Sequence, residues 1–551
     1  MTAQFTHQKQ LLQSIAAFKA FGIHNAVVSP GSRNAPLIQC LYAEASIRLH
    51  FVLDERAAAY FAIGLQHKSG QPVLLCCTSG TALLNYAPAL AEALYQEIPL
   101  VVFSADRPAR WIDQLDGQTI QQQNSLAPWV KQSIQLPESE SREALWHANL
   151  LLNESLNRCT QQPAGPIHIN VPLSEPLVDQ AVSDLPEFRR IRSHRFSDSD
   201  IQLPTDCLNR WNQSDKRLLL VGQLVDAQQA QNIRRICNEL PGVACVAEHL
   251  SGLETNKSLY QIDSILQHME TEDRKRLQPE IVVSMGGHIL SKTLKQYLRE
   301  SPHLTHWHVD PSGRMPDTYN HLTEVFCHRP EAFLRSLLQQ QAQSNAKQLD
   351  YAAQWQQQAE RLLPPDLNLE FSDRTVAAAW LRSMPENSHI FVGNSSPIRN
   401  IHQQALPKGV RLFVNRGTNG IEGSIATAAG YATLHEACVY VLMGDLSFFH
   451  DLGSLSMRDL PDNLHITVIN NGGGGIFHQL EALKPLQAFA DYVAAEHRLT
   501  AEKWAKAAGF HYTSASDAPS LHAALASIPT GSGRRLIEIF SKHTLQKNNT
   551  Q

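Results

Sequence analysis

The chain has no Cys-x-x-Cys pair, no strong excess of basic charge, no internal repeat, no low-complexity tail and no sustained heptad. It also has no run approaching the ~20 apolar residues that cross a bilayer. Each absence removes a class. The nine cysteines are odd in number and scattered, so they read as buried thiols in a reducing compartment and not as a disulfide framework or a metal cluster. Cys76-Cys77 falls inside an apolar strand, where neighbours point to opposite faces. The polar start "MTAQFTHQKQ" lacks the apolar region of a secretory signal, and the expectation is a cytoplasmic protein with no membrane span. A net charge of -5 argues against a general nucleic-acid surface, which needs basic excess, but leaves room for a local basic pocket for small anions.

What is present is ordinary globular composition, 43% hydrophobic and 18% charged over 551 residues. That length exceeds one core, and a prior of roughly 150 residues per domain suggests three or four. Short β-branched runs such as "NAVVSP", "PVLLCCTSG", "RLLLVG", "IVVSMGG", "ACVYVLMGD" and "HITVINN" alternate with helix-length segments. Runs apolar on both faces read as parallel strands covered by helices on both sides, so the expected fold class is α/β with three doubly wound parallel-sheet domains. A Pro-, Ser- and charge-rich stretch near 180–200 and a Gln/Ala-rich helical stretch at 345–366 act as joints. The expected domains are therefore 1–182, 195–345 and 366–551.

In open α/β sheets ligands bind at the carboxyl ends of strands. This chain places "SPGSRN", "DER", "TSGT", "ADRP", "GNSS", "NRGTNG", "GDLS" and "NNGGGG" there. In Met443–Phe477, Gly444-Asp445 follows one apolar strand and Asn470-Asn471 follows the next. An Asp carboxylate, an Asn side-chain oxygen and a main-chain carbonyl make half an octahedron of hard oxygens, the set that Mg²⁺ prefers when phosphate and water complete it. The glycines would let backbone approach a phosphate, and Ser447 could offer its hydroxyl and N–H to the anion. Two other readings stay open. One is a plain strand–helix–strand unit with a capping Asp and a lax turn. The other is a dinucleotide loop, which lacks its spaced G-x-G-x-x-G.

Gly-Asp followed, 26 positions after Asp445, by the second residue of Asn-Asn resembles the motif of thiamine-diphosphate enzymes. The resemblance implies Asp445 and Asn471 as side-chain metal ligands and Gly473 as carbonyl donor, with Mg²⁺ or Mn²⁺ as the ion. Leu446 stands where the general motif has Gly. The resemblance further implies a pyrimidine-binding first domain, a central second and a diphosphate-binding third. The active site would lie between the first domain of one subunit and the last of another, hence a homodimer or homotetramer. The carboxylic acid facing the aminopyrimidine would be Glu55 in "LDERAAAYF", while Asp54 beside it reads as a helix N-terminal acid favoured by the macrodipole. Thr78, Ser79 and Gly80, with Gly444, Leu446 and Ser447, would line the cofactor. Ser395 would join them, and Ile421 would wedge the cofactor in a bent form unless it is ordinary core packing.

Several arginines stand at strand-end loops, and guanidinium groups grip carboxylates in bidentate fashion, so the set predicts substrates with several carboxylates. "SPGSRNAPL", "TSGTALLNYAPALAEA", "ADRP", "NRGTNGIEG" and "GDLSFFHDLGSL" narrow the resemblance to the transketolase-like synthases of menaquinone biosynthesis that join 2-oxoglutarate to isochorismate. On that resemblance Ser32, Arg33 and Arg107 contact substrate carboxylates or isochorismate, and Gln118 reaches the reacting centre, so that Glu55, Arg33 and Gln118 form the catalytic set. Lys292 closes over the acid substrate. Ser395, Arg399 and Arg416 bind carboxylates, and Ile476 and Phe477 make an apolar wall beside a bystander His478. The rivals are an acetolactate-synthase-like enzyme or simple 2-oxoacid decarboxylase, and a nucleotide-binding regulatory or structural protein that kept the fold without the chemistry.

Overall fold

The computed structural model describes residues 4–177, 181–193, 201–224, 226–253, 258–362, 371–528 and 533–541. Parts of both expected joints, 178–180 with 194–200 and 363–366, lie outside the described residues. Two compact units emerge, one of residues 1–194, 391–394 and 415–551, the other of residues 195–390 and 395–414.

Three six-stranded sheets carry the chain. The first holds β1 (Asn25–Val28), β2 (Arg48–Phe51), β3 (Val73–Cys77), β4 (Leu100–Asp106), β5 (Ser133–Gln135) and β6 (Ile167–Pro172). The second holds β7 (Arg217–Val221), β8 (Ala244–Ala247), β9 (Ser258–Leu259), β10 (Ile281–Met285), β11 (Thr305–Val309) and β12 (Leu322–Phe326). The third holds β13 (His389–Val392), β14 (Arg411–Phe413), β15 (Val439–Gly444), β16 (Leu464–Asn470), β17 (His511–Ala515) and β18 (Arg535–Phe540). The first sheet runs β2-β1-β3-β4-β6-β5 and the third β14-β13-β15-β16-β18-β17, which is one and the same connection pattern. The second runs β9-β8-β7-β10-β11-β12, the doubly wound order of dinucleotide-binding folds.

Pairing is parallel across these sheets, as expected of strands apolar on both faces. The second sheet shows why. Leu219, Val221, Val283 and Met285 enter one buried cluster with Trp211, Trp307 and Phe333. Leu218, Leu220 and Val282 enter the cluster on the other face, with Tyr297 and Trp355. Alternate residues thus feed two cores.

The sequence pattern missed β5, β9, β12 and β17. Each lies at a sheet edge, where one side meets water. β12 and β17 are largely half-buried or exposed, so they lack the apolar run that marks a central strand.

Two helices organise the first unit. α1 (Glu55–Ser69) starts at Asp54, whose carboxylate accepts the N–H groups of Arg56 and Ala57, and stops at Gly70 in the left-handed region. α4 (Ser424–Thr433) lies alongside it. Tyr60 packs on Gly423, Gly64 faces Thr427 and Tyr431, and Gly430 faces Phe61 and Leu65, so the helices run in the same direction. A Cβ on Gly64 would sit 1.9 Å from the Thr427 carbonyl, and one on Gly430 would sit 2.0 Å from the Phe61 carbonyl. The two backbones touch because neither glycine has a side chain. Tyr60 Oη donates to Glu422 at 3.3 Å at one end of this pair.

Three further helices matter below: α2 (Lys292–Arg299), α3 (Ser396–His402) and α5 (Asp445–His450).

Alanine at a helical glycine ordinarily stabilises by about 1 kcal/mol. Gly64→Ala and Gly430→Ala are expected instead to destabilise by roughly 1–3 kcal/mol through overpacking. Urea denaturation checks this, and a midpoint equal to or above the parent's would show that the helices can separate without cost.

Candidate functional site

The loop after β15 answers the question posed by Gly-Asp and Asn-Asn. Asp445 is buried at the first position of α5, immediately beyond the strand. Its Oδ1 accepts the Leu446 N–H at 2.7 Å. Its Oδ2 accepts the N–H groups of Gly472 at 2.8 Å and Gly473 at 3.0 Å, and His497 Nε2 stands 3.3 Å from the same oxygen. β15 and β16 are adjacent and in register from Val439↔Leu464 to Gly444↔Ile469, so Asn471 emerges next to Asp445. Gly473 has φ of +152° and its Cβ would lie 2.7 Å from the Ala494 carbonyl, a place only glycine fits. The glycine run is therefore a folded turn held by a carboxylate, not a lax linker.

Ser447, on the first turn of α5, donates to the carbonyl of Ile421, so two expected cofactor residues meet. Ile421 is half-buried and stands before α4, outside the apolar core. Asp451 caps the start of α4, accepting the Ile425 N–H at 2.8 Å. Burial pushes its carboxyl up to about 6 despite that bond and one from Ser454.

The donor chemistry fits a hard divalent cation. One carboxylate, one carboxamide and a main-chain carbonyl gather at neighbouring strand ends, the oxygen set that suits Mg²⁺. Among the described residues no group of three or more His, Cys, Asp or Glu could hold a metal, so a nitrogen- or sulfur-rich site is not on offer there. The Gly473 carbonyl accepts the Gly475 N–H at 3.0 Å.

A second set of loops crowns the first sheet. Gly31 lies so close to Thr78 that a Cβ there would sit 2.3 Å from its side chain, which packs the Ser32–Arg33 loop on the Thr78-Ser79-Gly80 loop. Thr78 and Ser79 are buried, and the Thr78 hydroxyl is a buried polar group with no hydrogen-bond partner among the described residues. Gly80, at φ +86°, packs against the backbone of Gln118 and donates its N–H to Gln122 Oε1 at 2.7 Å. Arg33 is buried, donates to the Leu173 carbonyl at 3.2 Å and meets Glu175 at 3.0 Å. Burial, then the neighbouring Arg107 charge, lowers its affinity for a proton. Arg107 meets Asp116 at 3.3 Å and donates to the Gly117 carbonyl at 3.2 Å. Arg33, Arg107, Gln118 and the Thr78–Gly80 loop thus form one neighbourhood. Glu55, half-buried at the start of α1, contributes after desolvation to raising the buried Cys77 thiol and Tyr86 phenol, so it lies within electrostatic reach of the end of β3.

Arg416 is half-buried and donates to Asn394 Oδ1 at 3.0 Å. Asn394 in turn donates to the carbonyls of Asn415 and Gly420, both at 2.6 Å. Ile476 and Phe477 are half-buried, Phe477 against Gly474, and His478 packs edge-on to Phe489 at 5.0 Å. In the second unit, Ser395 has φ of +74° and begins α3, which carries the half-buried Arg399. Lys292 is exposed at the start of α2. None of the nine cysteines forms a disulfide and seven are buried, Cys76 and Cys159 each pushed up to about 12 by that burial.

Several residues that hold these loops were not found by pattern. Glu92, with no solvent exposure, accepts the Gly417 N–H at 2.7 Å, the Thr418 N–H at 2.6 Å and the Thr418 hydroxyl at 2.7 Å, with Gln96 as a further donor. The one available signal was a lone acid in the apolar "APALAEALY". Gln122 holds Gly80 and also donates to Ala105 O and Asn170 Oδ1. Glu248 is fully buried and pushed up to about 7 by desolvation, against two N–H donors.

Comparison with known proteins accords with this geometry. Residues 13–127 match the model described as thiamine pyrophosphate enzyme, N-terminal TPP binding domain, and residues 191–392 match the middle domain of thiamine pyrophosphate enzymes. The fold is that of a thiamine-pyrophosphate enzyme, with that cofactor and a divalent ion. The chain is 38% identical over 512 residues to a 2-succinyl-5-enolpyruvyl-6-hydroxy-3-cyclohexene-1-carboxylate synthase of Bacteroides thetaiotaomicron, covering 92% of this chain and 91% of that one. It is 37% identical over 547 residues to the protein of the same name from Phocaeicola vulgatus (98% and 96%) and 35% over 520 residues to that from Flavobacterium johnsoniae (93% and 92%). The chain belongs to the 2-succinyl-5-enolpyruvyl-6-hydroxy-3-cyclohexene-1-carboxylate synthase family.

Replacing Glu92 by Leu strips several buried donors of their acceptor. The expected loss of stability is on the order of 3 kcal/mol, and Glu92→Gln, which keeps one acceptor oxygen, should lose less. Equal urea midpoints for parent and Leu variant would mean that the Arg416–Thr418 loop is not held this way.

Proposed function

We propose that the protein decarboxylates 2-oxoglutarate and adds the remaining succinyl unit 1,4 to isochorismate, taking up a proton and releasing CO₂, in menaquinone biosynthesis. The observation that carries this reading is the Asp445 carboxylate bonded to the Gly472–Gly473 turn beside Asn471, in a chain of this family. When bound, thiamine diphosphate supplies the nucleophilic carbon that the protein cannot make from its own side chains.

The chain's residues divide the remaining work. Asp445, Asn471 and the Gly473 carbonyl hold Mg²⁺ or Mn²⁺. Gly444, Leu446 and Ser447 would face the diphosphate, Ile421 and Ser395 the body of the cofactor, and the Thr78–Gly80 loop its pyrimidine end. Glu55 holds and moves a proton at the aminopyrimidine nitrogen, the task of a positioned general acid–base. Arg33 and Arg107 neutralise substrate carboxylates with Ser32 beside them, and Gln118 orients the reacting group. Lys292, Arg399 and Arg416 add cationic grip, bidentate for the two guanidinium groups. Ile476 and Phe477 keep water from the reacting centre.

The reading includes three modules, 1–182, 195–345 and 366–551, and a homodimer or homotetramer in which the first module of one subunit meets the last of another. It also places the protein in the cytoplasm, unassociated with nucleic acid. Among the described residues no helix is long and apolar enough to cross a membrane.

A spectrophotometric assay of isochorismate loss tests the reaction. Consumption is expected only with 2-oxoglutarate, thiamine diphosphate and Mg²⁺ all present, and consumption without 2-oxoglutarate would end the proposal. Glu55→Gln should bind the cofactor in calorimetry yet lose about 10²–10⁴-fold in turnover; near-parental turnover removes Glu55 from the acid–base role. Asp445→Asn should weaken Mg²⁺-dependent cofactor binding by roughly 100-fold, and unchanged affinity would undo the metal assignment.

A further inference from the structure

The second sheet carries a buried carboxylate that no step above uses. Glu248 follows β8 directly and has no solvent exposure. Its Oε2 accepts the N–H of Leu290 and its Oε1 the N–H of Ser291 at 2.7 Å. Those two residues lead into α2. Ser291 is its cap, accepting the Leu294 N–H at 2.9 Å and donating to Asp263. Lys292 is the next residue.

On the other side, Glu248 Oε1 lies 3.6 Å from Nε2 of His402, the last residue of α3. His249 repeats the linkage one residue on. Its Nε2 is 2.7 Å from the Gln404 carbonyl, and its ring stands edge-on to His402 at 5.2 Å. Gln261 donates to the Gln403 carbonyl at 2.8 Å. The end of β8 therefore grips two segments: the one that delivers Lys292 and the one that delivers Ser395 and Arg399.

The fold explains why a carboxylate serves here. In this strand order the ends near β7 and β10 ordinarily receive an external anion at a helix N-terminus. Here backbone fills the gap. Gly222 donates to the Met285 carbonyl at 2.9 Å and Gly287 to that of Gln223 at 2.8 Å, and a Cβ on Gly222 would sit 2.4 Å from the Gly287 carbonyl. The N–H groups leading into α2 are taken by the chain's own Glu248.

We infer that Glu248 is a positioning residue that sets the spacing between Lys292 and Arg399, and through them the grip on the dicarboxylate 2-oxoacid. This inference rests on the substrate reading given under the proposed function. Glu248 touches neither substrate nor cofactor. A carboxylate that binds two consecutive N–H groups through its two oxygens fixes a segment's direction better than a carboxamide with one acceptor oxygen, and loosening a cation that grips substrate and transition state alike raises KM and leaves kcat unchanged.

The test compares Glu248→Gln, which keeps one acceptor oxygen, with Glu248→Leu, which keeps none. In the holoenzyme the Gln variant should raise KM for 2-oxoglutarate about tenfold, the scale of one lost hydrogen bond. Its kcat should stay within about twofold and cofactor affinity should be unchanged. The Leu variant should raise KM further. On a Lys292→Ala background Glu248→Gln should add much less than its own factor, because both act through one contact. Full multiplication of the two factors, or a parental KM, overturns the inference. Should the Leu variant fail to fold, His402→Gln offers a milder loosening, expected to move KM in the same direction. Hydrogen exchange is the readout that does not depend on activity: amides 290–294 should exchange faster in Glu248→Gln, and unchanged protection overturns the positioning role. A parent enzyme inert toward 2-oxoglutarate and isochorismate would fault the substrate reading instead, while exchange still decides whether Glu248 pins α2.

Discussion

One carboxylate organises the chemistry of the third sheet. Asp445 leaves the end of β15 and binds the N–H groups of Gly472 and Gly473, which leave the end of β16. These bonds turn a run of four glycines, floppy in isolation, into a defined loop at the sheet's carboxyl edge. Everything assigned to that edge needs it: the presentation of Asn471, the approach of the Gly473 backbone, and the contact of Ser447 with Ile421. A carboxylate that accepts two backbone N–H groups is held in place before any cation arrives, so a metal finds a ligand that need not be ordered on binding.

The same economy recurs in the other loops. Glu92 fixes the Gly417–Thr418 backbone next to Arg416, Gln122 fixes Gly80, and Asp451 fixes the start of α4. In each case a buried acceptor, or the carbonyl of a buried amide, binds main-chain N–H groups at a strand end or helix start. Such groups must be satisfied when buried. Satisfying them from a second element joins loops that the sheet alone would leave independent. The first and third sheets share one strand order, so the functional loops come in both cases from the first four strands of the sheet, which are also four neighbours in it. The close passage of α1 and α4 at Gly64 and Gly430 ties the helix after β2 to the helix after β14 within the first unit. Glu248 extends the pattern to the second unit, where the acceptor ties α2 to the end of α3.

By itself the sequence determined the fold class, the central strands and most of the strand-end loops. Apolar runs with glycine, proline and serine punctuation follow from backbone physics that acts within a few residues. It also determined the cofactor class and family, because Gly-Asp with Asn-Asn and the arginine-bearing loops are local strings. Asp54 as an acid at a helix start and Cys76-Cys77 as buried thiols were legible for the same reason. Tertiary structure alone decided the edge strands β5, β9, β12 and β17, which carry no long apolar run, and the distant partners of Asp445, Glu92, Gln122 and Glu248. The main-chain N–H groups they bind on other loops lie 27 to 326 positions away, and no period or spacing in a chain encodes which distant N–H a buried acceptor will meet. Only packing brings the two together, and only the cost of leaving either one unpaired keeps them there.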